Sequence, residues 1–203
     1  MSETLTFYTN PMSRGRIVRW MLEEIGEPYE TVLLDYGTTM KAADYLAINP
    51  MGKVPAIKHG DTVVTEAAAI CAYLADAFPQ ANLAPPPTSR LRGPYYRWLF
   101  FGAGPVEQAV TDASMGVRPE GQLQGRVGYG SLPRVLDTLD GLLAGREWIL
   151  GDRFSAVDVY LGSQISWGVQ FGTMEDRPNF GPYIARLRAR PAAIRASEKD
   201  EAL

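Results

Sequence analysis

The run Asn49-Pro50-Met51-Gly52-Lys53-Val54-Pro55-Ala56-Ile57 is followed, one hairpin later, by Glu66-Ala67 at the head of an apolar helix. An X-Pro step closing into a strand at Val54-Pro55 suggests a cis bond and a Val54 backbone turned outward, its donor and acceptor open to an extended peptide. Glu66 supplies an anion, and the first amides of the helix behind it supply donors. One small site could then hold both an ammonium and a carboxylate, the two charges of an amino-acid terminus. A second spot is Ser13, a hydroxyl where the first strand gives way to the first helix, with Tyr8 upstream at the end of that strand. A hydroxyl, nearby backbone amides and the partial positive charge of a helix N-terminus together stabilise an anion. Plain helix capping would use the same serine.

These residues need elements to carry them. Residues 4–8 read as a strand, Asn10-Pro11 breaks it, and 14–26 read as a helix, with Ile17, Met21 and Ile25 on one face and Gly26 as its stop. Residues 29–34 form a second strand, and strand-helix-strand order favours a parallel pair. Residues 35–48 are weakly patterned and predict a loop with a short helix. Residues 54–58 and 62–65 flank His59-Gly60-Asp61 as an antiparallel hairpin, and 66–78 return to helical spacing. Pro79 and the cluster Pro85-Pro86-Pro87 cannot continue a helix, so a stiff linker follows.

Beyond the linker, helical periodicity dominates. Residues 92–113 read as one helix that Gly102, Gly104 and Pro105 kink or pack closely. The glycine-rich stretch Gly125-Arg126-Val127-Gly128-Tyr129-Gly130 follows no predicted strand and is no phosphate loop. Residues 131–143 and 155–167 are helical, the latter opened by a Ser155-Ala156-Val157-Asp158 capping box with Phe154 as its apolar staple. Pro191 splits a final pair, 180–189 and 192–198. The expectation is α/β plus all-α: a thioredoxin-like βαβ-ββα domain at residues 1–79, a Pro-rich linker at 80–89, and an all-helical domain at 90–203.

Composition narrows the function classes. The 203 residues are 46% hydrophobic and 21% charged, ordinary values for a folded globular chain. A net charge of -3 with no Lys/Arg cluster argues against nucleic acid. No basic leader precedes a long apolar core and no apolar run nears the roughly 20 residues of a bilayer span, which predicts a cytoplasmic protein with no membrane partner. The lone cysteine, Cys71, excludes an intrachain disulfide and lies in a helical apolar pattern, as a buried inert thiol would. No His/Cys/carboxylate spacing suggests a metal.

The peptide-reading run, the opening Phe7-Tyr8-Thr9-Asn10-Pro11-Met12-Ser13-Arg14, the run Arg19-Trp20-Met21-Leu22-Glu23-Glu24 and the late Phe154-Ser155-Ala156-Val157-Asp158-Val159-Tyr160 resemble, in order, landmarks of the glutathione S-transferase superfamily. The resemblance spans nearly the whole chain. It implies a glutathione transferase that uses the tripeptide as co-substrate, without a metal, and acts as a homodimer on a small hydrophobic electrophile in detoxification. It also leaves open a non-catalytic glutathione-binding or regulatory role, or peroxidase or isomerase activity. By resemblance, Lys53, Val54 and Pro55 contact the cysteinyl backbone, Glu66 and Ala67 the gamma-glutamyl end, and Lys41 the glycyl carboxylate. Ala67 departs from the serine usual there.

Such chemistry needs a thiolate, and an ordinary thiol with a pKa of about 8.5 is mostly protonated at neutral pH. Ser13 and Tyr8 are the two candidate donors to sulfur, since different classes of the superfamily use a serine or a tyrosine near these positions. Arg14 and Arg16 could add positive potential. No cysteine follows the first strand, which disfavours a mixed-disulfide mechanism. The electrophile's pocket is expected beside the aromatic helix, with Tyr95 and Trp98 as lining residues.

Overall fold

The computed structural model describes residues 3–203. Residues 1 and 2, the start of the expected first domain, lie outside them. The chain divides into two compact units, Met1–Leu83 with Arg190–Leu203, and Ala84–Ala189.

In the first unit β1 (Leu5–Thr9), β2 (Glu30–Leu33), β3 (Ala56–His59) and β4 (Thr62–Thr65) form one sheet in the order β2-β1-β3-β4. β2 runs parallel to β1, while β3 is antiparallel to both β1 and β4. The helices are α1 (Gly15–Ile25), a short α2 (Ala43–Leu46) after a 3-10 turn at Thr39–Lys41, and α3 (Ala67–Ala77). This is the thioredoxin-like arrangement expected from the sequence.

Alternation along β1 sorts its side chains. Leu5, Phe7 and Thr9 are buried, with Phe7 and Ile57 of β3 fully inside beside Ile17, Val18 and Met21 of α1 and Ile70 and Leu74 of α3. Each such side chain stabilises by roughly 1.5–3 kcal/mol relative to exposure. Tyr8 takes the opposite phase and packs with Val32, Ile48 and Val54 against a separate cluster of Leu34, Met40, Tyr45 and Ala56. α1 stops at Gly26, whose φ of 74° suits a residue without a β-carbon and lets its amide reach the Leu22 carbonyl.

The last helix, α9 (Pro191–Glu201), belongs to this unit and packs on α1, although the sequence grouped it with the helical half. Charge explains the docking. Arg19 meets Asp200 at 2.6 Å with both side chains almost wholly buried, and Arg190 grips Glu24 through two bonds of 2.6 and 2.7 Å. Glu23 accepts from Tyr29, Lys199 and Arg195. Burial alone would raise the Glu23 carboxyl, but these donors outweigh it and the net direction is downward. α1, which carries Ser13 at its head, is thereby anchored along its length.

The second unit holds α4 (Arg92–Phe101), α5 (Glu107–Ser114), α6 (Leu132–Leu143), α7 (Ala156–Gln170) and α8 (Phe180–Arg188). The single helix expected over 92–113 is two, joined by a π-helical turn at Gly102–Val106 that contains Pro105. The capping box of α7 forms as predicted. Asp158 is fully buried: its Oδ2 accepts from the Ser155 amide and hydroxyl, and its Oδ1 from the Ile149 amide and the Tyr183 hydroxyl. Burial nevertheless holds this carboxyl up to about 6. Phe154 sets its ring edge-on to Trp148 at 5.0 Å.

Candidate functional site

The loop from β1 to α1 is knotted around Asn10. Its Nδ2 donates to the Leu34 carbonyl at 2.8 Å, and its Oδ1 accepts from the Met12 amide at 2.9 Å. The Asn10 carbonyl accepts from both the amide and the hydroxyl of Ser13, at 3.1 and 2.6 Å. Ser13 Oγ in turn accepts from the Gly15 amide at 2.9 Å. Ser13 is half-buried, with one lone pair committed and its proton resting on a neutral carbonyl. Gly15 makes this turn possible, because a β-carbon there would stand 2.0 Å from Thr9 Oγ1 and 2.9 Å from Ser13 Oγ.

No acidic residue sits in the first turn of α1, so its positive end is not neutralised from within. Arg16 turns away from this end: it donates to Ser197 and lies near Asp200 and Glu201 of α9. Tyr8 is half-buried in β1, its ring 5.6 Å from that of Tyr45 and tilted by 42°. Tyr8 and Ser13 therefore belong to the same end of β1 but to different environments, one a packed ring and the other a loop hydroxyl.

The segment before β3 is held from behind. Lys41 Nζ donates to the Gly52 carbonyl at 2.7 Å, while Tyr45 Oη and Asn49 Nδ2 donate to the Lys53 carbonyl at 2.6 and 2.8 Å. Lys53 is exposed, Val54 half-buried and Pro55 buried, and the Val54–Pro55 bond is cis. Val54 precedes the β1–β3 ladder, which begins at Ala56.

Glu66 is exposed at the N-cap of α3 with φ 66° and ψ 115°, one of two described non-glycine residues at positive φ. Its carbonyl receives the first helical bond, from Ile70 at 2.9 Å. The amides of Ala67, Ala68 and Ala69 precede that bond and have no helical acceptor, and no side chain caps them. Glu66 thus places a carboxylate at the same helix end as three amides that lack helical acceptors.

The family model of the glutathione S-transferase N-terminal domain matches residues 12–77, and that of the C-terminal domain matches residues 108–199. Glutathione S-transferase GstA of Escherichia coli O157:H7 is 30% identical over 174 residues, 84% of this chain and 86% of its own. This chain belongs to the glutathione S-transferase superfamily. Its enzyme class is glutathione transferase. A solved glutathione transferase from Methylococcus capsulatus is 30% identical, with a TM-score of 0.82 over 98% of this chain and all of its own. A sphingomonad glutathione S-transferase, solved in complex with glutathione, is 27% identical with a TM-score of 0.79 over 98% of this chain and all of its own.

Within this transferase, two expected pocket residues need correction. Tyr95 is 0% and Trp98 5% exposed. Their rings pack edge-on against Tyr96 and Phe101, at 5.6 and 5.3 Å, so they fill the helical unit instead of lining an open cleft. The exposed α4 rings are Tyr96 and Phe100, with Phe101 half-buried. The helical period placed aromatics on every side of α4 and could not say which side was covered.

Cys71 is buried and its thiol is pushed far up by burial. His59 shares a 2.9 Å hydrogen bond with Tyr73 and stacks on Phe78 at 5.3 Å, a packing role. Among the described residues no group of three or more His, Cys, Asp or Glu could hold a metal ion, and no helix is long and apolar enough to cross a membrane. Sequence reasoning missed Asn10, Gly15 and Tyr45 as builders of the site. The Asn-Pro break marked the loop, but nothing in the order of residues showed that Tyr45 would reach a carbonyl eight positions on.

Proposed function

We propose that this chain binds glutathione and adds its sulfur to a small hydrophobic electrophile. The tripeptide's cysteinyl backbone pairs with Val54 beside Lys53 and Pro55, its ammonium meets Glu66, and its gamma-glutamyl carboxylate takes the open amides at Ala67. Lys41 keeps two protons beyond the one on Gly52, available to the glycyl carboxylate. The observation that carries this reading is Glu66. A glutamate held at positive φ costs on the order of 1–3 kcal/mol and persists where function requires it, here at a helix N-terminus whose first amides have no side-chain cap. That the sphingomonad relative was solved in complex with glutathione supports glutathione as the ligand.

At the other pole, Ser13 acts on sulfur. A neutral thiol leaves its hydroxyl on the Asn10 carbonyl; once the proton departs to solvent, the thiolate is the stronger acceptor and draws the hydroxyl across. The thiolate then attacks the electrophilic carbon, a C–S bond forms, and the leaving group departs with its electron pair. The α1 N-terminus adds partial positive charge throughout. The working form we propose is a cytoplasmic homodimer engaged in detoxification.

Calorimetry with millimolar glutathione, followed by turnover of an aryl halide, tests this. Heat of association and steady release of halide are expected. Folded protein that gives no heat refutes the proposal, and binding without turnover across a broad electrophile panel assigns the chain to non-catalytic binding.

A further inference from the structure

Two donors converge on one carbonyl directly behind the segment that would meet the ligand. Tyr45 Oη and Asn49 Nδ2 both donate to Lys53 O, at 2.6 and 2.8 Å, and the two residues are 3% and 4% exposed. The Lys53 carbonyl and the Val54 amide are the two ends of a single peptide unit. That unit is planar, and it is trans, since Val54–Pro55 is the only cis bond among the described residues. Its N–H therefore points opposite to its C=O.

Fixing the carbonyl between two buried donors fixes the direction of the Val54 N–H. The same donors pull electron density toward the oxygen and strengthen the N–H as a donor, by about 10–30% per bond. Tyr45 is well suited to this work. Its ring is wedged among Leu34, Met40, Ala56 and the Tyr8 ring, so the hydroxyl has little freedom to leave. Burial pushes its phenol up to about 12, so it remains a donor through the whole range in which a thiolate could react.

We infer that Tyr45, seconded by Asn49, is a positioning residue for the tripeptide: through the Lys53 carbonyl it aims and strengthens the Val54 amide that receives the ligand's backbone. This rests on the placement of glutathione along Val54 proposed above. A contact to the ligand's backbone is equally strong before and during sulfur attack, so losing it weakens binding without slowing the bound complex.

The test uses full-length Tyr45→Phe, which keeps the ring and removes the donor, with Asn49→Ala as a second variant. Calorimetry with glutathione, steady-state kinetics with an aryl halide and the Val54 amide resonance of the ligand-free protein are measured alongside the thermal midpoint. The Kd and KM for glutathione should rise about five- to tenfold, the size of one lost neutral hydrogen bond. kcat should stay within about twofold, and the Val54 amide proton should move upfield. Wild-type protein that binds glutathione, with both variants binding equally well and the Val54 resonance unmoved, overturns the role of Tyr45 alone. A kcat that falls with KM unchanged also overturns it. Wild-type protein that shows no binding overturns the parent placement along with it.

Discussion

Ser13→Ala removes one oxygen and tests where that oxygen matters. In the ligand-free protein its proton lies on the Asn10 carbonyl at 2.6 Å, a neutral bond of about 0.5–1.5 kcal/mol net. Moved onto a thiolate, the same proton makes a charge-assisted bond of about 1.5–3 kcal/mol. The difference, roughly 1–1.5 kcal/mol, is what Ser13 would contribute to ionising the bound thiol under the proposed mechanism, because the neutral thiol gains nothing from the exchange. At 1.36 kcal/mol per pKa unit, the bound thiol in Ser13→Ala should titrate about one unit higher. Below that pKa, kcat/KM should fall about tenfold, while affinity for the protonated thiol is unchanged. Ultraviolet absorbance of the thiolate against pH reads the first quantity, and a pH–rate profile reads the second. Losing the cap on the Gly15 amide lowers stability by about 1 kcal/mol, so assays belong well below the thermal midpoint. A thiol pKa and kcat/KM that both survive in Ser13→Ala, with collapse in Tyr8→Phe, would refute the argument and move the donor to the β1 tyrosine.

Glu66→Gly should separate stability from binding. Glycine accepts φ 66° without strain, so the thermal midpoint should rise by the equivalent of about 1 kcal/mol while glutathione affinity falls at least tenfold; a rise in both would sink the role of the carboxylate. Tyr183→Phe removes one of four donors from the buried Asp158 carboxylate. Tyr183 lowers the Asp158 pKa and burial raises it, so without the hydroxyl the group should titrate above its present value of about 6. That bond serves the charged form. The loss, about 1.5–3 kcal/mol by urea denaturation, should therefore be full at pH 8 and shrink as pH falls through 6. An equal loss on both sides of pH 6 would show that Asp158 does not change its protonation state in that range.

The first unit was largely legible in sequence because its signals are local. Period-two burial in β1, the Asn10-Pro11 break, Gly26 as a stop and Gly60 in the hairpin each act within a few residues of themselves. The place of Glu66 at the head of α3 and the cis Val54–Pro55 bond were legible for the same reason, being set by their own neighbours. What escaped was long-range. α9 reads as one more amphipathic helix, and its place beside α1 depends on pairs such as Arg19–Asp200 and Glu24–Arg190, separated by more than 160 positions. Tyr95 and Trp98 carry the same lesson within the helical unit, since a helix ringed with aromatics does not announce which face its neighbours will cover.

The consequences differ by position. Where a group would act through its own side chain, as proposed for Glu66, residue type and neighbours suffice to name it. Where it acts through another residue's peptide plane, as Tyr45 does on the Lys53–Val54 unit, only the folded arrangement reveals it. Ser13 stands between these cases. Its type and place were plain from the order of residues, but its resting partner was not, and under the proposed mechanism that partner would make the serine a switchable donor, the Asn10 carbonyl holding the proton until a better acceptor forms. A fixed oxyanion donor would bind any group placed beside it. A donor that must be drawn from a neutral carbonyl instead favours the charged state over the neutral one, which is the discrimination that thiolate formation requires.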